Sequence, residues 1–81
     1  MKKHTKIYLK YYGYDETDFI ACEVCGCKAV DIHHLESRGI GGSKTKDYIE
    51  NLVALCRTCH QNCHITKTFN NKAKEIHLNN L

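Results

Sequence analysis

Two cysteine pairs of identical spacing are the residues best suited to chemistry in this chain. They stand as Cys22-Glu-Val-Cys25 and Cys56-Arg-Thr-Cys59. Each C-x2-C pair can form a tight knuckle, and four thiolates in a tetrahedron are the ligand set that structural zinc prefers. The pattern therefore predicts one structural Zn2+ held by all four. The alternative, in which they are small core residues, would make the matched spacing a coincidence.

The histidines form a second group with metal-ligand spacing. His33 and His34 are adjacent, His60 follows the second cysteine pair, and His64 comes four residues later. Positions i and i+4 share one face of a helix, so His60 and His64 could bind one ion. Two isolated histidines at this spacing more often lie on a helix face that is exposed to solvent. The nearby cysteines and the second histidine pair favour a metal site.

Two apolar runs predict the scaffold that carries these side chains. Residues 29–35, AVDIHHL, are rich in β-branched and apolar residues and predict a strand, and LVAL at 52–55 predicts another. The segment 36–50 contains three glycines and is interpreted as a long loop. The two strands are expected to pair antiparallel.

Helices are predicted on both sides of this pair. Residues 3–14 alternate apolar side chains with lysines and predict an amphipathic packing helix that Gly13 ends. The segment after Cys59 lacks glycine and proline and predicts a helix, with Thr58 as its N-cap. The tail from residue 70 is polar, with apolar positions at helical spacing.

So short a chain is expected to need a bound metal ion or disulfides to stabilise its fold. A domain of 81 residues buries only roughly 60% of the surface that its unfolded chain exposes. No stretch has the length and hydrophobicity of a signal peptide or a membrane span, so a cytoplasmic protein without a membrane partner is expected. Thiols stay reduced in that compartment, which favours metal over disulfides for the six cysteines.

The charge is a weak guide to the partner. Twelve basic and nine acidic residues give a net charge of +3, with four lysines in the first ten residues. An acidic block follows, formed by Asp15, Glu16, Asp18 and Glu23. A four-thiolate zinc site would lower the total to about +1. Evidence for a nucleic-acid partner must therefore come from the site itself.

The strings CEVCGCKAVDIHHL, RGIGGS and ENLVALCRTCHQNCH together resemble the HNH endonucleases, or ββα-metal nucleases, between Cys22 and His64. Each string alone is weak evidence, but their order is specific. The resemblance implies a small α+β domain with a ββα-metal, treble-clef-like motif, flanking helices and one structural zinc. It suggests an N-terminal helical segment 1–21, a nuclease core 22–68 and a polar helical tail 69–81 in a single domain.

The resemblance also implies roles for the site residues. In that family the first histidine of the strand-end pair is a ligand of the catalytic ion and the second is the general base, which correspond to His33 and His34. The central asparagine, here Asn51, holds the loop that orients the base. The last histidine, here His60, is a ligand, and the colicin nuclease domains add one a turn later, here His64.

These roles agree with elementary chemistry. A neutral imidazole with a pKa near 6.5 can take a proton from water, and a divalent cation can stabilise charge on the phosphoryl oxygens. Imidazole ligands suit Mn2+, Ni2+ or Zn2+, and Mg2+ stays an alternative. Adjacent residues of a strand point to opposite faces, so the strand must end or twist at His34 if both histidines are to reach one phosphate.

The implied function is hydrolysis of DNA phosphodiester bonds, leaving a 5′-phosphate and a 3′-hydroxyl. Double-stranded DNA is the expected partner, cut with low sequence specificity unless a dimer or a targeting protein adds it. Flanking phosphates would be bound by basic residues, namely Arg38, Lys44, Lys46 and Arg57. The alternative is a non-catalytic zinc module that binds nucleic acid or protein, in which His34 would have no role. An RNA nuclease is a weaker rival.

Overall fold

The computed structural model describes residues 2–36 and 47–81, and within them the fold is small and of the α+β type. The elements in chain order are α1 (Lys3–Tyr12), β1 (Asp31–His34), a 3-10 turn (Ile49–Asn51), β2 (Leu52–Leu55), α2 (Arg57–Ile65) and α3 (Lys67–Asn80). Among the described residues, none of the helices has the length and apolar character needed to cross a membrane.

The predicted antiparallel strand pair is confirmed, in a shorter form. β1 pairs with β2 so that His33 lies opposite Val53 and His34 opposite Leu52. The predicted strand 29–35 is too long at its start, because the backbone N–H of Ala29 donates to the carbonyl of Ile20 instead of to β2. The chain there has already turned towards the first cysteine pair.

Strand β2 is buried on both faces and separates two apolar clusters. One cluster lies on the side of α2 and α3 and consists of Cys22, Leu35, Val53, Leu55, Cys59, Cys63 and Ala73. The other lies on the side of α1 and consists of Tyr8, Leu52 and Ala54. Because side chains alternate along a strand, the continuous apolar run LVAL supplies both clusters.

The ends of the first two helices have identifiable chemical causes. α1 ends at Gly13, whose φ of 73° suits a residue without a Cβ, so the predicted stop is confirmed. The predicted N-cap Thr58 is wrong, because α2 begins at Arg57 and Cys56 is its cap. The Cys56 sulfur accepts a hydrogen bond from the backbone N–H of Cys59 at 3.5 Å.

The predicted helical tail is α3, which is separated from α2 by Thr66. The φ and ψ of Thr66 are −129° and 134°, which breaks the helix, and its hydroxyl accepts from the backbone N–H of Phe69 at 3.2 Å. Ala73 and His77, four residues apart, are fully buried. This face makes α3 part of the core, although most of its residues are polar.

Glu23, which the sequence groups with an acidic block, is buried at the junction of three elements. Its carboxylate accepts hydrogen bonds from the Tyr8 hydroxyl at 2.7 Å and from the backbone N–H of Ala54 at 3.2 Å. It also accepts from His77 Nδ1 at 2.8 Å and from Asn80 Nδ2 at 3.0 Å. One side chain thus joins α1, β2 and α3.

Both ring nitrogens of His77 face acceptors. Nδ1 lies 2.8 Å from Glu23, and Nε2 lies 2.6 Å from the carbonyl oxygen of Ile49. Burial alone would lower the pKa of His77, but the hydrogen bonds to Glu23 and Ile49 raise it. Burial would raise the pKa of Glu23, but hydrogen bonds from His77, Asn80 and Tyr8 lower it. The two side chains form a buried imidazolium–carboxylate pair.

This pair predicts a pH-dependent loss of stability in His77→Gln, which leaves the Glu23 carboxylate buried without its imidazolium. The destabilisation should be about 3 kcal/mol, a usual cost of breaking a buried pair. This destabilisation should have its full size below about pH 6.5, the pKa of histidine in the unfolded chain. It should shrink by about 1.4 kcal/mol per pH unit as the pH rises towards the raised pKa of folded His77. Urea unfolding between pH 6 and 9 with saturating zinc measures it.

The matched control is Lys74→Gln, an exposed position of the same helix, which should leave the free energy of unfolding within about 0.5 kcal/mol of the wild type at every pH. A His77→Gln deficit of constant size between pH 6 and 9 would contradict the ion pair.

Candidate metal centres and active-site cleft

The four predicted zinc ligands come together in one cluster. The sulfurs of Cys22, Cys25, Cys56 and Cys59 all lie within 4.8 Å of one another. Cys25 Sγ and Cys56 Sγ are 3.5 Å apart. Four sulfurs around one zinc at about 2.3 Å would be about 3.8 Å apart, so the donor set and its spacing fit a tetrahedral ion.

Local backbone geometry builds each half of this cluster. In the first pair, Gly26 has φ 81° and its N–H donates to the carbonyl of Cys22 at 2.9 Å, as expected for a knuckle that needs a positive φ. In the second pair, Cys56 is the N-cap of α2, and the N–H of His60 donates to its carbonyl. The sulfur cluster therefore lies at the start of the helix that carries His60.

The thiols of the cluster differ in acidity. Burial would raise the pKa of Cys22, but backbone hydrogen bonds to its sulfur, first from Cys56, lower it to about 7. Burial, together with hydrogen bonds among the sulfurs, raises the pKa of Cys59. Four thiolates at this spacing repel one another, so the fully ionised cluster requires a cation.

Cys27 and Cys63 lie outside the cluster in the described part of the chain. Cys27 is exposed, whereas Cys63 is buried in the core beside α3, and burial raises its pKa. The spacing of Cys63 from Cys59 allows an alternative ligand but favours a buried free thiol, and its place in the core is that of a buried thiol.

We predict that Cys56→Ser loses zinc and the folded state together, because zinc binding supplies folding free energy in small domains, whereas a serine hydroxyl can still cap α2. Cys27→Ser, at the exposed thiol, should keep one zinc per chain and cooperative unfolding. Metal analysis and circular dichroism of the purified variants measure both. Retention of zinc and cooperativity by Cys56→Ser would show that a different ligand set holds the ion.

The three histidines predicted to bind the catalytic ion also come together. His33 of β1 and His60 and His64 of α2 offer ring nitrogens that all lie within 4.8 Å of one another. The Nε2 atoms of His60 and His64 are 3.1 Å apart, close to the separation of two ligands on one ion. His33 is buried, but His64 is exposed, which leaves the cluster open to the cleft on one side.

Two residues outside this cluster fix which nitrogen each ring presents. Asn70 donates through Nδ2 to the carbonyl of Leu35 at 2.9 Å, so its Oδ1 accepts from His33 Nε2 at 2.8 Å. Asp31 accepts from Nδ1 of His60 at 3.0 Å. Since each of these nitrogens carries a hydrogen, His33 would bind an ion through Nδ1 and His60 through Nε2.

Electrostatics support the same state of His33. Burial lowers its pKa, and the neighbouring imidazoles of His60, His64 and His34 lower it further, which outweighs its hydrogen bond to Asn70. The ring is therefore neutral at physiological pH, which is the form that binds a metal ion.

We predict that Asn70→Ala weakens binding of Mn2+ or Ni2+ at this cluster by roughly 10–100-fold, the usual cost of losing the partner of a liganding histidine. Asn71→Ala removes the same type of side chain from an exposed neighbouring position and should not change affinity. Calorimetric titration of the zinc-loaded proteins measures the dissociation constants. Equal affinities of the two variants would exclude a role for Asn70 in orienting His33.

His34 belongs to a different group from His33. Its Nε2 lies 2.7 Å from Asp47 Oδ1, and its ring centroid lies 4.5 Å from that of His4. The side chains of His34 and Asp47 are 14% and 4% exposed. β1 ends at His34, and both His33 and His34 line one cleft of about 630 Å³. The expectation that the strand must end or twist at His34 for both histidines to share a site is therefore met.

Asn51 fastens the chain that follows His34. Its side-chain Oδ1 accepts from the backbone N–H of Glu36 at 2.7 Å, and its Nδ2 donates to the carbonyl of Glu36. Its own carbonyl accepts from the N–H of Leu35. These bonds hold the two residues after His34 against the start of β2.

The predicted phosphate-binding residues are only partly described. Arg38, Lys44 and Lys46 lie outside the described residues, and Arg57 is exposed at the start of α2. The cleft is also lined by Lys2, the N-cap of α1, and by Thr5 in its first turn, although the sequence predicts only a packing helix there.

Several side chains at the site were missed by reasoning from the sequence. Asp31 has a local signal, because it lies two residues before His33 and so on the same face of β1. Asn70, Asp47 and His4 have none, since each reaches its histidine through tertiary contacts.

The segment that carries these groups matches a known protein family. The model of the HNH endonuclease family matches residues 22–70, which begin at the first cysteine of the sulfur cluster and end at Asn70. No curated protein and no solved structure matches the chain.

Proposed function

The chain belongs to the HNH endonuclease family, and on that premise we propose that it is a metal-dependent endonuclease that hydrolyses phosphodiester bonds in DNA. The observation that carries the proposal is the presence of two different histidine groups in one cleft. His33 lies beside His60 and His64, whereas His34 lies beside Asp47. The first group suits an ion and the second suits a general base. In this proposal β1, β2 and α2 form the ββα-metal, treble-clef-like motif.

The proposed general base is His34. Asp47 accepts from its Nε2 as a carboxylate, so Nε2 carries the hydrogen and Nδ1 carries the lone pair. Nδ1 would take a proton from the attacking water, and the Asp47 carboxylate would stabilise the imidazolium that forms. Asp47 would thus act as a positioning residue that holds the ring in one tautomer.

The proposed ligands of the catalytic divalent ion are His33, His60 and His64. When bound there, the ion would stabilise negative charge on the phosphoryl oxygens and on the leaving 3′-oxygen. An all-imidazole set suits Mn2+, Ni2+ or Zn2+, whereas Mg2+ prefers oxygen ligands. Asn70 and Asp31 keep the liganding nitrogens of His33 and His60 unprotonated.

Asn51 would support the base indirectly. It fixes the backbone of Leu35 and Glu36, which directly follow His34. Because this fastening lies within two residues of the base, loss of Asn51 would allow the imidazole to leave its position relative to the ion.

The proposed substrate is double-stranded DNA, bound mainly through its phosphates. Lys2 at the cleft and the exposed Arg57 at the start of α2 are cations that could position the DNA backbone. So small a chain has little surface for reading bases, so we expect low sequence specificity unless a dimer or a targeting protein supplies it.

A plasmid-nicking assay with His34→Ala and His60→Ala tests the division of roles. His34→Ala should retain zinc, fold and DNA binding but cut roughly 10²–10⁴-fold more slowly, as expected for loss of a general base. His60→Ala should also lose cleavage, because it weakens the catalytic ion. Higher Mn2+ should partly rescue His60→Ala and should not rescue His34→Ala.

The control is Gln61→Ala, an exposed position beside His60, which should cut at the wild-type rate. If His34→Ala cut as fast as the wild type at saturating metal, the mechanism would be wrong. The alternative function, a non-catalytic zinc module that binds nucleic acid or protein, would then be favoured.

A further inference from the structure

We propose that His4, His34 and Asp47 form a second transition-metal site, which takes Zn2+ when zinc is in excess and thereby silences the base. The silencing rests on the proposed function, whereas the binding does not. One nitrogen from each histidine and one carboxylate oxygen all lie within 4.8 Å of one another. Two imidazoles and a carboxylate are an established donor set for zinc that leaves a coordination position open.

The three donors come from separate elements that are each held in place. His4 lies in the first turn of α1, which is fixed by burial of Tyr8 and Leu9. His34 ends β1, and Asp47 lies just before the 3-10 turn. Most of the ordering that a metal site requires is therefore already present in the fold.

The adjustment required for zinc is small. His34 Nε2 and Asp47 Oδ1 are 2.7 Å apart, whereas two ligands on a tetrahedral zinc are separated by about 3.3 Å. Asp47 supplies an anionic oxygen donor on a side chain that is only 4% exposed, so its position is already fixed by the surrounding structure.

The second site is distinct from the site of the catalytic ion. It shares no residue with His33, His60 and His64, although both groups line the same cleft. His4 also lies outside the segment 22–70 that matches the family. The site therefore depends on the N-terminal helix of this chain.

Zinc at this site would remove the base by changing its tautomer. A neutral imidazole carries one hydrogen, and zinc on Nε2 requires that nitrogen to be deprotonated. The hydrogen then resides on Nδ1, after exchange with solvent and with no net release of a proton. Nδ1 becomes a donor and cannot accept a proton from water.

Calorimetric titration of Zn2+ into the protein that already holds zinc at its cysteines tests the binding. Wild type should bind two further ions per chain, at the His33 cluster and at the second site. His4→Ala should bind one further ion, at the His33 cluster. His60→Ala should also bind one, at the second site. Thr5→Ala, next to His4 at the cleft, is the matched control and should bind two.

Histidine ring ¹⁵N NMR assigns the ions to their sites. In His60→Ala the added zinc should shift the ring signals of His4 and His34. In His4→Ala it should shift those of His33, His60 and His64 and leave His34 unchanged. Binding of only one further ion by wild type, or a second ion that His4→Ala retains, would overturn the site.

The consequence for cleavage is measured separately, with each rate expressed relative to the same variant in Mn2+ alone. Excess Zn2+ should slow wild type and Thr5→Ala at least 10-fold, and should slow His4→Ala much less. If zinc bound at the site without slowing cleavage more in wild type than in His4→Ala, the silencing would be refuted. If no variant cut DNA under any condition, the proposed function would fail, while the titration would still decide the metal site.

Discussion

The Glu23 carboxylate is the interaction on which the arrangement of the described elements depends. Glu23 follows Cys22 in the sequence of the first knuckle, and its carboxylate accepts hydrogen bonds from Tyr8, Ala54 and His77. These residues belong to α1, β2 and α3, so the first knuckle is tied to three elements at one buried point. A buried carboxylate is costly unless its partners are all in place, which penalises other packings of the same helices.

The two predicted metal centres are mechanically linked. Cys56 belongs to the sulfur cluster and also caps α2, and α2 carries His60 and His64. The third histidine, His33, comes from β1, which pairs with the strand leading directly into Cys56. An ion at the cysteines would therefore fix the direction and the start of the helix on which an ion at the histidines depends.

Local patterns predicted much of the fold and which cysteines and histidines come together, whereas they gave no sign of contacts between residues distant in sequence. The cysteine spacing, the i, i+4 histidines and the glycine that ends α1 each act within a few residues, and the structure brings those groups together as expected. Thr58 was a wrong cap because a sulfur took the role that a hydroxyl usually has. Asn70 and Asp47 could not be predicted, since their partners are 37 and 13 positions away and depend on tertiary packing.

The pairing of β1 with β2 also determines how the chain can change. His33 and His34 face different groups only because each lies opposite a fixed residue of β2. A deletion or insertion of one residue in β1 would move every side chain to the other face and exchange the two imidazoles between their surroundings. Because β2 is buried on both faces, it cannot shift to compensate. Changes in chain length are therefore expected to be tolerated only outside β1 and β2, even where a single residue of either strand could be substituted.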